Sequence, residues 1–216
     1  MKKHLIAKII ILAVTASLSA TVNAQKLEWQ IKRGEKLTFK IAFSSGLTGD
    51  VKGGDGVMYV YPRLSKINGN DVYHAVLQGG TAGVIEWFYK VENKYETFID
   101  TDNKAPVMYA QYVHENKYSN NDTVYFDQKR NMATYRNKKV KIPDNTHDFV
   151  SMLYYVRTLD MSKFKKGDTF IIPFFTSDKV INSKIIYNGI EKVKNGKMGL
   201  VECYSFKPQV GKGKVF

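Results

Sequence analysis

One cysteine, five prolines, two tryptophans and four histidines in 216 residues leave little material for most kinds of protein chemistry. A lone cysteine cannot close a disulfide within the chain, and it excludes the multi-cysteine zinc frameworks. No HExxH or CxxC spacing is present, so no metal site is expected. The chain also has no GxSxG, phosphate-binding loop or dinucleotide fingerprint, and no serine with an evident base partner. No cofactor is expected, and the pattern argues against an enzyme. No repeat, linker or low-complexity block divides the sequence, which predicts one domain.

The only long apolar run lies at the start. Residues 1–8 are cationic, Ile9 to Leu18 is mostly apolar, and Val22-Asn23-Ala24 offers the small residues that a signal peptidase accepts. This predicts a signal peptide over residues 1–24, cleaved between Ala24 and Gln25, and a single β-rich domain over residues 25–216. The apolar stretch is short for a span of about 20 residues, so no transmembrane segment is expected after cleavage. No cysteine near the cleavage site could carry a lipid anchor. The expected location is the periplasm. Lys2, Lys3 and Lys8 leave with the leader, and the mature domain keeps 30 basic and 20 acidic residues, a net charge of +10. Without a recognition module, this basicity in an exported chain does not predict nucleic-acid binding. It favours anionic envelope surfaces instead.

The mature region repeats a two-residue period broken by turn chemistry, as an antiparallel sheet with one buried face requires. Leu37, Phe39, Ile41 and Phe43 alternate with Lys36, Thr38, Lys40 and Ala42. A Gly-rich connection from Ser44 to Gly56 precedes a strand at Val57 to Tyr61, and Asn68-Gly69-Asn70-Asp71 predicts a turn before Val72 to Gln78. Further strands are predicted at 95–99, 107–114, 123–127, 132–136, 170–175 and 180–187, with a hairpin at Asn195-Gly196. Phe149, Met152, Leu153 and Val156 fall at helical spacing and predict an amphipathic helix over about residues 147–159, capped by Asn145 or Thr146. A shorter helical turn could hold Trp87, Phe88 and Val91. The predicted fold is mainly β: an antiparallel meander forming a curved or partly closed barrel with the helix on its open face.

His147 and Asp148 at the helix start, with His74 and His114 in strands, are the only acid/base candidates. The simpler reading is a first-turn His with an Asp favoured by the helix dipole. Asp100, Asp102 and Asn103 lack the glycine and glutamate of a calcium loop and predict a plain turn. Lys138-Lys139-Val140-Lys141 and the Lys163, Lys165, Lys166 cluster predict solvated loops. Cys203 has apolar neighbours that favour burial. Aromatic residues are abundant, with 14 Tyr and 12 Phe. Trp87, Phe88, Tyr89, Tyr154 and Tyr155 are the candidate ligand-binding residues, because aromatic faces stack sugars or line apolar cavities.

Gly34 to Ile41, Trp87 to Val91 with Lys94 to Asp100, Ile142 to Asp148 with Tyr154 to Arg157, Lys166-Gly167-Asp168 and Cys203 to Pro208 together resemble the exported bacterial domain-of-unknown-function family 3108, common in Bacteroidetes. The resemblance implies an exported antiparallel β protein and transfers no catalytic residue. Relatives usually continue past the position of Phe216, so a missing C-terminal strand is expected. Asp122-Thr123-Val124 resembles an O-glycosylation acceptor of such bacteria, which would place Thr123 on the surface. The leading expectation is a non-enzymatic binding or envelope-maintenance protein for an apolar or amphiphilic ligand, with lipid, glycan or an envelope protein as partner. The alternative is an interaction module that docks on another envelope component through a sheet edge or a basic face.

Overall fold

The computed structural model describes residues 31–45, 49–176, 178–195 and 198–209. The predicted leader, its cleavage at Ala24 and Gln25, and the stretch ending at Phe216 lie outside the described residues. Nine strands form one antiparallel sheet: β1 (Lys36–Ser45), β2 (Gly49–Val60), β3 (Ser65–Ile67), β4 (Asn70–Thr81), β5 (Glu92–Asp100), β6 (Pro106–Glu115), β7 (Tyr118–Asp127), β8 (Met132–Tyr135) and β9 (Lys138–Lys141). Their order is β1-β2-β4-β5-β6-β7-β8-β9, with β3 hydrogen-bonded to β4. Two short helices, α1 (Val84–Phe88) and α2 (Phe149–Val156), interrupt the meander. A second sheet of β10 (Thr169–Thr176), β11 (Lys179–Asn195) and β12 (Gly199–Gln209) completes the fold. Neither sheet closes on itself among the described residues, so the architecture is mainly β without a closed barrel.

The strand register sorts the large sheet into two faces. Leu37, Met58, Val60, Ala75, Ile99, Tyr109, Val124, Phe126, Ala133 and Tyr135 lie on the covered face, where Val150 and Tyr154 of α2 and Phe175 of β10 pack on them. Phe126 and Tyr135 meet the ring of Phe175 edge-on at 5.8 and 6.3 Å. Arg157, the C-cap of α2, reaches Glu35 with two hydrogen bonds of 2.7 and 2.8 Å and ties the helix end to the segment entering β1. A cation there also suits the negative end of the helix dipole.

Several expectations need correction. The Gly-rich connection over 44–56 is mostly strand, since β2 begins at Gly49. The stretch 116–121 between the predicted strands 107–114 and 123–127 belongs mostly to β7, and Lys138 to Lys141, predicted as a solvated loop, is the edge strand β9. In β9, Val140 faces the core cluster while the lysines stay exposed, a pattern that keeps an edge from pairing with other chains. The predicted helix 147–159 is shorter at both ends. His147 cannot be helical because it makes a strand-like bridge to Phe174, and the last turn tightens as Arg157 and Thr158 donate to the carbonyls of Tyr154 and Tyr155. Its buried face is Val150, Ser151 and Tyr154 rather than the Phe149, Met152, Leu153 and Val156 stripe, and Leu153 is exposed. Cys203 is half-buried in β12. The Asn68-Gly69 turn stands where expected, with φ of 50° and 84°, as a two-residue hairpin between β3 and β4 requires.

At the end of β2 and β4 the glycines have a steric reason. A Cβ on Gly80 would lie 2.3 Å from the carbonyl oxygen of Val91, and one on Gly54 would lie 2.3 Å from that of Gly80. Both obstacles are backbone and cannot swing aside. Gly56, by contrast, would offer a Cβ only ordinary contacts, at 3.7–3.9 Å. Gly80→Ala is therefore expected to destabilise the protein by about 1–3 kcal/mol and lower its melting temperature by several degrees, while Gly56→Ala stays within about 0.5 kcal/mol of the parent. Thermal melts of the two variants side by side check this contrast.

Candidate functional site

His147 and Asp148, the acid/base candidates, are fully buried. Asp148 is the N-cap of α2: its Oδ1 accepts from the amides of Val150 and Ser151 at 2.8 and 2.9 Å, and its Oδ2 accepts from the Thr97 hydroxyl of β5 at 2.6 Å. The Ser151 hydroxyl accepts from the Asp148 amide at 3.0 Å, which completes a capping box. The expected caps are otherwise engaged, since Thr146 donates its hydroxyl to the Pro143 carbonyl. The His147 ring lies between Ser151 Oγ, 3.2 Å from Nδ1, and Asn145 Oδ1, 3.1 Å from Nε2, with Tyr155 against its face. Every polar atom of the pair is used within the protein, and no substrate path reaches them. The expected first-turn His needs correction: His147 precedes the helix in an extended segment bridged to Phe174, and Asp148 is the N-cap rather than a first-turn residue, although it does sit at the positive end of the helix.

Burial pulls His147 down to about 4 and pushes Asp148 up to about 6, against the hydrogen bonds from Thr97, Ser151 and Val150 that favour its carboxylate. The two shifts act oppositely on stability. Neutral His147 is favoured in the folded state, so stability falls as pH drops from about 6.5 toward 4. Protonated Asp148 is favoured in the folded state, so stability rises as pH drops from about 6 toward 4. The parent is expected to be nearly flat over this interval as far as these groups are concerned. Asp148→Asn keeps the cap and leaves His147 unopposed, so urea denaturation should show the variant losing up to about 3 kcal/mol between pH 6.5 and 4. A flat variant would contradict the burial of His147 as its cause.

The exposed chemistry lies on the other face of the large sheet. His74 of β4 stacks between Tyr61 and Phe98, with ring centroids 4.3 and 4.2 Å away. Its Nε2 is 2.6 Å from Oε2 of Glu96, whose Oε1 takes Lys94 Nζ at 2.5 Å. Burial pulls His74 below its ordinary value, although Glu96 favours the charged ring. Burial would raise Glu96, but Lys94 and His74 outweigh it and hold the carboxyl below the usual range. A neutral His74 donating to an ionised Glu96 satisfies both. Burial and a hydrogen bond that Tyr59 donates to Tyr61 push the neighbouring Tyr59 up to about 12. Lys94 and the Glu92 beyond it lead from this cluster into an open cleft of about 460 Å³. Asp55, Gln78, Thr81, Glu86, Glu92, Asn93 and Lys94 supply its polar groups, and Gly79 and Gly80 leave backbone bare there.

Glu86, which lines the cleft, belongs to α1, and the next two residues of that helix, Trp87 and Phe88, have 90 % and 79 % of their surfaces exposed. Tyr89 follows, its hydroxyl donating to Glu115 at 3.2 Å. The candidate ligand-binding residues thus separate: Trp87, Phe88 and Tyr89 stand exposed around α1, whereas Tyr154 is buried in the core and Tyr155 lies half-buried against His147. The space beneath α2 is filled. Near it, between the sheet and β10, a hollow of about 30 Å³ lined by Tyr109, Gln111, Asp122 and Tyr135 has room for one or two waters. Thr123 is half-buried on the outer face, and the Asp122 before it is buried beneath Arg136 and Tyr135.

The other candidates resolve plainly. Asp100 Oδ1 accepts from the amides of Asp102 and Asn103, which makes that segment a turn. Lys163 pairs with Asp160, and the stem of Lys166 lies along Gly189. Among the described residues, no group of three or more His, Cys, Asp and Glu side chains could hold a metal, and no helix is long and apolar enough to cross a membrane. Neither the His74–Glu96–Lys94 cluster nor the cleft was expected from the sequence. Their signals were present: charged and aromatic residues alternate at Lys94, Glu96 and Phe98, and glycines cluster at both 53–56 and 79–80.

No curated protein and no solved structure matches this chain. Residues 37–216 match the model of the family described as protein of unknown function, DUF3108, and with most of its length matched the chain belongs to that family.

Proposed function

We propose that this chain is an exported, periplasmic, non-enzymatic binding protein that holds an amphiphilic ligand on the outer face of its large sheet. The hydroxyl-rich part of the ligand, of saccharide type, occupies the cleft, and its apolar part rests on Trp87 and Phe88. One observation carries this reading: an open cleft of about 460 Å³ has Asp55, Gln78, Glu86, Glu92 and Asn93 around it, and the two residues that follow Glu86 in α1, Trp87 and Phe88, are large aromatics left exposed. Carboxylates and amides accept and donate to sugar hydroxyls, and exposed aromatic faces take up apolar surface. The filled space under α2 argues against a ligand carried between helix and sheet. The sealed His147–Asp148 pair argues against acid/base catalysis there.

A second reading, docking on an envelope protein through a sheet edge, rests on β12. It ends the small sheet among the described residues and exposes Leu200 and Tyr204.

Octyl glucoside below its micelle concentration is the direct probe of the leading reading. It should bind and shift Trp87 emission to the blue, while glucose alone binds at least tenfold more weakly. Replacing Trp87 and Phe88 together by Ala should weaken octyl glucoside binding by about 10-fold to 100-fold, since each ring buries apolar surface only when the ligand is present. The melting temperature should be unchanged, because neither ring packs on the fold. Equal binding of glucose and octyl glucoside, or unaltered binding by the double variant, would sink this reading.

A further inference from the structure

We propose that the β8–β9 corner of the large sheet docks on a bilayer surface rich in anionic phospholipid. The corner gathers Lys129 and Arg130 from the β7–β8 turn, Arg136 from the β8–β9 turn, and Lys138, Lys139 and Lys141 from β9. Lys129, Lys138, Lys139 and Lys141 make no ion pair among the described residues. The two arginines are occupied by Asp127 at 3.6 Å and Asp122 at 2.6 Å. Asp127 stands on the outer face in register with Met132 and takes Arg130, and Lys138 stands in register with Tyr135 of the covered face. Asp122 bonds Tyr135 on the covered face, and Asp178 acts on the same tyrosine. Lys139 and Lys141 stand in register with Thr134 and Met132 on the outer face. Tyr125, paired with Thr134 in the same cross-strand row and half exposed, adds an aromatic ring of the kind enriched at membrane interfaces.

The chemistry selects a surface rather than a chain or a single phosphate. Four of the six cations are lysines, compact point charges on flexible stems, which suit a broad negative field better than the two-pronged grip of arginine on one phosphate. A few lysines suffice to keep an edge from pairing with other chains, and Val140 already commits the strand to its own core. That protective role would require neither Lys129 nor the exposed Tyr125. The inference does not depend on the cleft or its ligand.

The test is co-sedimentation of the processed chain, starting at Gln25, with vesicles of phosphatidylglycerol and phosphatidylethanolamine mixed equally. The leader is omitted because it would bind lipid by itself. Binding is expected at low salt, with release at high salt and none to phosphatidylcholine alone. Replacing Lys138, Lys139 and Lys141 together by Gln should weaken it by about a hundredfold, and replacing all three by Arg should preserve it. Lys139→Gln alone should cost about fivefold, which keeps the inference testable if the triple variant aggregates. A control that replaces Lys163, Lys165 and Lys166 by Gln removes equal charge elsewhere and should bind like the parent. No binding by the parent at low salt, equal loss in the control, or capture by heparin with vesicles left unbound would each overturn the proposal.

Discussion

His147 and Asp148 sit in an extended segment whose backbone faces one way and whose side chains face others. The His147 amide donates to the Pro173 carbonyl at 2.9 Å, and its own carbonyl accepts from the Phe175 amide at 2.8 Å, so the small sheet is bonded to the start of α2. One residue later, the Asp148 carboxylate takes the helix amides and the Thr97 hydroxyl of the large sheet. Two consecutive residues therefore join both sheets and the helix at one fully buried point. A buried carboxyl is tolerable there because three donors and the positive end of the helix surround it. Removing any donor would leave a buried acceptor unmatched, and the layers would lose their common register.

The same junction decides where the protein can interact. By docking α2 and β10 onto one face of the large sheet, it fills that face with aromatic rings. The other face keeps polar side chains such as Gln78 and Lys94 within reach of solvent. There a short aliphatic and aromatic row gives each charged group a defined partner: Lys94 on Glu96, Glu96 on His74, and His74 between two rings. Such a chain of partners in partly buried surroundings holds side chains in fixed rotamers, as a recognition surface needs. Beside the cleft at its end, Gly80 lets neighbouring backbones approach closer than any Cβ would allow.

Strand order along the meander was legible because a half-buried strand must alternate, and Asn-Gly turns have little other use. The helix face was not. Periodicity weighs apolar residues only, yet the buried side of α2 includes Ser151, whose hydroxyl is consumed by the cap. The Asp148-x-x-Ser151 spacing carried that information, and reading it as a capping box would have placed both the helix start and its inward face. The glycine-rich run misled for the opposite reason. Glycine usually marks a loop, but here two runs belong to paired strands, and only the register of β2 on β4 brings them together. A single sequence does not contain that register.

Charge follows the same division. The acids that line the cleft, Asp55, Glu86 and Glu92, lie toward one end of the outer surface, and the free lysines of β9 lie at the far strand of the same sheet. Four strands, and so five inter-strand steps, separate β4, which supplies the glycines beside the cleft, from β9. At about 4.8 Å per strand the two regions stand roughly 24 Å apart. That separation exceeds the Debye length of about 8 Å at physiological salt, so neither region neutralises the other in solution. Opposite charge can persist on one sheet face because each region is built on its own strands. A net positive protein thereby carries an acid-lined cleft at one end and a cationic edge at the other. The sheet acts as the spacer that keeps the two chemistries independent.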